Sequence, residues 1–253
     1  MDKKYMAVIA VVAIVIIAVA AFMILNNNSN ARDDDPNDPT THITETDMDR
    51  TSLGALVFGN ANGDYVIDEV CRFIGSQDFE ELGLEYIEIN LSVAQCIESN
   101  LSEKITHSMR KYGVRPEQVN LEITETADAA TRQAVLTNMD VLIRKGMSFS
   151  LDDFGTGRSN LDYFITMPVN IIKFDYRFTH WYFENEKARD VIKGTVEIIK
   201  KIGLPIVAEG VETDEHLQAM RSLGVDYIQG FYFSKPIPEE EFVRFLKNHQ
   251  SVT

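Results

Sequence analysis

Cysteine is nearly absent from this 253-residue chain. Cys71 and Cys96 are too few for a disulfide framework or a zinc site, and they suit a reducing compartment. The five histidines are scattered, with no HExxH or similar ligand spacing. Positive charge is also scarce: 24 Lys and Arg face 39 Asp and Glu, a net charge of −15. That balance argues against binding polymeric nucleic acid through bulk electrostatics. A small anionic ligand remains open to an acidic protein when metal ions bridge the like charges. There is no P-loop and no Rossmann glycine fingerprint.

What is present begins with an apolar run. Residues 6–25 read MAVIAVVAIVIIAVAAFMIL, without charge or proline, just after Lys3 and Lys4. Twenty apolar residues are long enough to span a bilayer as a helix. A cleaved signal peptide is the alternative, but its apolar region is usually shorter and ends at small residues, whereas this run closes on Met-Ile-Leu and Asn26 to Asn28. An uncleaved single-pass anchor over 1–25 is the expectation. Residues 26–63 form an acidic linker with a remnant segment, including Asp33, Asp34 and Asp35. The charge bias around the span predicts a domain outside the membrane's cytoplasmic face.

From 64 to 253 a short β-branched run alternates with a longer stretch of helical period. The strand candidates are 84–91 (LEYIEINL), 119–123 (VNLEI), 148–151 (SFSL), 169–174 (VNIIKF), 204–208 (LPIVA) and 226–229 (DYIQ). Ala188, Val191, Ile192, Thr195, Val196, Ile198, Ile199 and Ile202 trace a broad apolar stripe of one helix. Gly146 and Gly203 stand where helices should stop. Such alternation implies an α/β fold with a parallel sheet, here a (β/α) barrel.

The strand ends carry Asn90, Glu122, Asp152 with Asp153, Lys173, Glu209 and Gln229. Singly, each has an ordinary explanation as a helix cap, an ion-pair partner or a solvated rim residue. Six polar strand ends at equivalent places converge on one face of a barrel, the face where barrel enzymes work. Carboxylates with amide oxygens make a hard, oxygen-rich set suited to Mg²⁺ or Mn²⁺. Asp152 and Asp153 could serve two ions about 3.5–4 Å apart, the arrangement used in phosphoester hydrolysis. A lone lysine there can hold the attacking water or neutralise phosphoryl charge. A Schiff-base aldolase is the competing chemistry for Lys173, but it leaves the four carboxylates without a task.

Taken in order, INLS (89–92), LEITE (121–125), LDDFGTG (151–157), IIKFD (171–175), VAEGVET (207–213) and QGFYFSKP (229–236) resemble the EAL family of bacterial cyclic di-GMP phosphodiesterases. The resemblance runs from about residue 65 to 246. It implies a TIM-like (β/α)8 barrel of EAL type and hydrolysis of cyclic di-GMP to linear pGpG at two Mg²⁺ or Mn²⁺ ions. It also implies that Asn90, Glu122 and Asp152 are metal ligands, with Asp153 holding the second ion and its water. Lys173 would orient or activate that water, and Glu209 would complete the metal and water shell. Gln229, Asp175 and Pro236 would line or support the substrate site, while Glu125 would steady the loop 155–160, a loop that such proteins also use in homodimer contacts.

One departure stands out. The Glu-Ala-Leu that names the family supplies a metal-ligand glutamate, and the nearest string here is Gly54-Ala55-Leu56. Only a short stretch separates it from the helix that starts at YVIDEVCRFI (65–74), so the first two barrel strands are expected to be missing. Impaired turnover is expected with them, and a non-catalytic module that binds cyclic di-GMP or a protein is the alternative. A cytosolic ligand calls for a cytoplasmic domain, opposite to the charge bias of the span.

Overall fold

A computed structural model describes residues 60–124, 129–155 and 165–250. The expected anchor at 6–25, residues 26–59 of the linker (with Gly54-Ala55-Leu56) and Glu125 lie outside these residues, while residues 60–63, expected as the end of the linker, are the start of a helix. No helix among the described residues is long and apolar enough to cross a membrane.

Six parallel strands lie side by side in the order of the chain: β1 (Ile87–Leu91), β2 (Val119–Thr124), β3 (Ser148–Phe154), β4 (Ile171–Phe174), β5 (Ile206–Ala208) and β6 (Tyr227–Ile228). A parallel sheet in which every strand neighbours the next, with helices between, is the winding of a barrel rather than of a doubly wound sheet. The fold is therefore α/β with barrel winding, and β1 and β6 form the two edges of the sheet among the described residues.

All six expected strands are present, with shifted ends. β4 and β5 begin two residues late, at Ile171 and Ile206, because Pro168 and Pro205 interrupt the approach to each strand. β3 runs three residues further than expected and takes in Asp152 and Asp153. The helices are α1 (Asn60–Ser76), α2 (Phe79–Leu82), α3 (Val93–Cys96), α4 (Leu101–Tyr112), α5 (Ala129–Arg144), α6 (Tyr176–Glu184), α7 (Glu186–Lys201), α8 (Asp214–Ser222) and α9 (Glu239–Gln250).

Alternation along the strands separates two environments. Ile87, Ile89, Leu91, Val119, Leu121, Ile123, Phe149, Leu151, Ile172, Phe174, Ile206, Ala208 and Ile228 are buried in the main core, between the sheet and its helices. The opposite face has a small apolar floor of Ile171 and Val207 with Tyr86 and Tyr227. Above it that face is polar, with Glu88, Asn120, Glu122, Ser150 and Lys173 all buried.

The helices complete the core. In α1, Val66, Ile67, Val70, Cys71 and Ile74 recur at helical spacing and are buried. In α7, Asn185 caps the first turn by accepting from the Ala188 backbone N–H, and Ile192, Val196 and Ile199 are buried. The apolar stripe of α7 is broader than its buried face: Val191, Ile198 and Ile202 are exposed. The buried face is the single row at Ile192, Val196 and Ile199.

Candidate active site

A lysine stands at the centre of the polar face. Lys173, on β4, is 2% exposed, and its Nζ donates to Glu122 Oε1 and, at 2.9 Å, to Glu209 Oε1. Glu88 Oε2 lies 3.5 Å from the same nitrogen and Asp152 Oδ1 lies 3.8 Å away. Four strands and the residue after a fifth position these groups. In register, Asn90 faces Glu122 and Thr124 faces Asp152. Glu209 follows β5 directly and is fixed by its backbone: its N–H donates to Phe174 O, and its carbonyl accepts from Thr179 Oγ1 at 2.6 Å.

The paired aspartates depend on a break in the strand. Regular alternation would turn Asp152 toward the polar face and Asp153 toward the helices. Instead the β3–β4 register shifts between Leu151 and Phe154, and Asp153 takes a left-handed φ of 56°. The bulge returns Phe154 to the core, where its ring lies 5.9 Å from Phe174 and 6.1 Å from Phe178. Asp153 is left among Asp152, Asp175, Lys173 and Arg177 electrostatically. A left-handed non-glycine residue carries strain, here placed beside the buried charges.

Crowded, buried carboxylates hold protons more tightly. Burial, and then the Glu88 charge, push Glu122 well above the ordinary carboxylate value. Burial pushes Glu209 up to about 7 and Asp153 up to about 6, with the Asp152 charge adding to both. Lys173 moves the other way from what its burial alone would give. The surrounding carboxylates, Glu122 first, hold its ammonium well above the usual lysine range.

The remaining expected residues lie around this cluster. Asn90 is half-buried near the end of β1, on the face that Glu88 shares. Gln229 follows β6, and its buried Oε1 has no hydrogen-bond partner. Asp175 is buried and caps α6: its Oδ1 accepts from the Arg177 backbone N–H at 3.0 Å and from Arg177 Nε at 2.6 Å. Pro236 is half-buried in the segment between β6 and α9. Glu125 and residues 156–160 lie outside the described residues. Two residues that the strand-end reading passes over belong here as well, Glu88 below the strand ends and Arg177 beside Asp175. Glu88 is signalled by period two, since it alternates with Asn90 along β1.

The match of the EAL domain family model covers residues 59–236. The chain belongs to the EAL domain family. The match begins after Gly54-Ala55-Leu56 and takes in every motif from INLS to QGFYFSKP. The cyclic di-GMP phosphodiesterase PdeL of Escherichia coli (strain K12) is 32% identical over 158 residues, 62% of this chain and 44% of PdeL. The oxygen sensor protein DosP of the same organism is 30% identical over 186 residues, 74% of this chain and 23% of DosP. The chain thus spans less than half the length of these curated relatives. Among solved structures, the phosphodiesterase PaMucR in its c-di-GMP complex superposes with a TM-score of 0.65 and 29% identity, covering 75% of this chain and 76% of that one.

For an EAL domain the donor set raises the question of a metal. The side chains are oxygen donors of the kind that hard divalent ions prefer. Asp152 Oδ1 is buried without a hydrogen-bond partner, with the Lys173 ammonium 3.8 Å away, and so keeps an unused acceptor lone pair. In kind, the residues fit such an ion. No group of three or more acidic, histidine or cysteine side chains among the described residues is arranged to hold one already, and the Lys173 ammonium occupies the middle of the carboxylates.

Proposed function

We propose that this chain is a metal-dependent phosphodiesterase that opens one phosphodiester linkage of cyclic di-GMP to give linear pGpG, working below the rate of members that carry the Glu-Ala-Leu glutamate. The observation that carries the reading is the convergence of Glu122, Asp152 and Glu209 on one buried lysine at the strand ends. The similarity to PdeL and to the PaMucR complex supports the choice of substrate.

In this reading Asn90, Glu122, Asp152, Asp153 and Glu209 would hold one or two Mg²⁺ or Mn²⁺ ions. A bound divalent ion would polarise the phosphoryl oxygen and lower the pKa of water. The chain's own residues do the rest. The Lys173 ammonium, kept charged by its neighbours, donates from Nζ to the attacking water or to a phosphoryl oxygen as charge develops. Glu209, which titrates near neutrality, accepts a proton at a carboxylate oxygen. Gln229 offers its buried Oε1 to a donor on the ligand. Gly54-Ala55-Leu56 supplies no acid where the family has one, and fewer charged ligands mean weaker ion binding.

A second reading has one observation in its favour. Lys173 already neutralises the carboxylates at the place where an ion would sit, as it would in a non-catalytic module that binds cyclic di-GMP or a protein. Incubating the full chain with cyclic di-GMP and Mn²⁺ and resolving the nucleotides by chromatography separates the two. Metal-dependent pGpG supports the enzyme; bound but intact cyclic di-GMP under every metal supports the module.

Residues 6–25 are further read as a single-pass anchor that places the domain in the cytoplasm with its ligand, and the loop 155–160 as a homodimer contact. Sedimentation over a range of chain concentrations tests the second, and a concentration-independent monomer would refute it.

A further inference from the structure

Glu88 lies outside every motif that marks this family, one residue before INLS. On β1 it sits two residues below Asn90, level with Asn120 on β2, and Asn120 is level with Ser148 on β3. Glu122 occupies the next level up. The Glu88 side chain is wholly shielded from solvent. Its Oε2 lies 3.5 Å from Lys173 Nζ and has no hydrogen-bond partner. Its Oε1 lies 3.2 Å from Ser150 Oγ. That hydroxyl also lies 2.6 Å from Asn120 Oδ1, and Asn120 Nδ2 in turn donates to Ser148 Oγ at 2.9 Å.

A hydroxyl has one proton, so Ser150 serves one of its two acceptors at a time, and the nearer one is Asn120. Glu88 is therefore a buried carboxylate with poor hydrogen-bond satisfaction, already in the company of three others. Such a group costs stability, and a fold that needed only packing there would be better served by an uncharged side chain. Its counter-charge is the ammonium, 3.5 Å away. Glu122 and Glu209 hold Lys173 at the level of the strand ends, and Glu88 holds it from below.

We propose that Glu88 is a positioning residue for Lys173. Its charge forms an anionic floor that fixes Nζ between the strand-end carboxylates, and the Ser148–Asn120–Ser150 chain fixes Glu88 in turn. The inference deepens the phosphodiesterase reading, on which the task given to Lys173 rests.

The test compares the full chain with Glu88→Gln, which keeps the shape and the Ser150 contact while removing the charge. Three readouts are taken: thermal stability, the slowly exchanging side-chain ammonium signal of Lys173 in ¹⁵N-lysine spectra (assigned by its loss in Lys173→Arg), and steady-state kinetics on cyclic di-GMP with Mn²⁺. The expected result is an unchanged or higher Tm and an ammonium signal broadened by faster exchange. With these should come a kcat lower by about 10- to 100-fold at nearly constant KM, the size usual for groups that orient a site residue. An unaltered ammonium signal with unaltered kcat overturns the proposal. So does a kcat that falls only in step with Tm, the mark of a structural role. If the parent chain shows no turnover, the phosphodiesterase reading fails by itself and the ammonium signal alone decides for Glu88. If Glu88→Gln does not fold, Ser150→Ala takes its place: a smaller change in the same direction supports the proposal, and no change overturns it.

Discussion

Five carboxylates, Glu88, Glu122, Asp152, Asp153 and Glu209, share this end of the sheet with the Lys173 ammonium, and the titration of two of them gives the first expectation at the scale of single residues. Asp153 is pushed up to about 6 from 3.8, and Glu209 up to about 7 from 4.5. Each therefore binds its proton more tightly in the folded chain than in the unfolded one. The stability they contribute is fully present below the ordinary values and is lost as pH rises through about 6 and about 7. The Tm of the EDTA-treated chain should accordingly fall between about pH 5 and pH 8, and Mn²⁺ should restore it at the upper end by binding the ionised, folded form. A Tm that rises over that interval would contradict the titration. Lys173→Ala should lower turnover by about 10²-fold or more while cyclic di-GMP binding changes far less, since the lysine acts on charge that develops in the transition state. Parallel losses in binding and turnover would assign it to ground-state binding instead. The polar strand ends were legible in the sequence because each interrupts an apolar run. Glu88 is harder to see in the sequence because it lies inside β1, where only the alternation with Asn90 marks it. The neutralisation of Asp152 by Lys173, 3.8 Å away, was hidden because the two residues meet through the sheet and not along the chain.

Elements carry the site by small irregularities. The bulge in β3 is what lets two adjacent aspartates face the same charges, and no pattern in LDDF announces it. Gly210 is a second such point. It has φ 68°, and a Cβ there would lie 2.5 Å from Tyr176 Cβ and 2.9 Å from its Cα. The segment that presents Glu209 thus passes close to the first residue of α6, where only glycine combines the left-handed turn with the space. Gly210→Ala should cost about 2–4 kcal/mol, combining the left-handed penalty with overpacking against backbone, and denaturant unfolding would measure it. A loss under about 0.5 kcal/mol would show that the segment yields freely. The strands themselves were legible from their β-branched runs, and α7 from its helical period. The width of the α7 stripe overstated its burial, because a helix against a sheet commits one row of side chains while its apolar flanks at Val191, Ile198 and Ile202 face solvent.

At the scale of the molecule, the order of the six strands followed from the alternation of strand and helix, and the EAL membership from motifs spread over most of the chain. The anchor expected at residues 6–25 is checked by membrane fractionation: the intact chain should sediment with membranes and be released by detergent but not by high salt. Recovery of the intact chain in the soluble fraction would oppose it. The central claim is that the carboxylates gathered at the strand ends of this EAL domain support metal-dependent chemistry. The direct measurement is the rate of pGpG formation from cyclic di-GMP by the full chain and by Asp152→Asn, with Mn²⁺ and with EDTA. The account predicts slow, metal-dependent turnover that falls by about 10²-fold or more in Asp152→Asn, which keeps the side chain's shape but removes a charge the ions need. Turnover that survives EDTA, or that is equal in the two proteins, would contradict it.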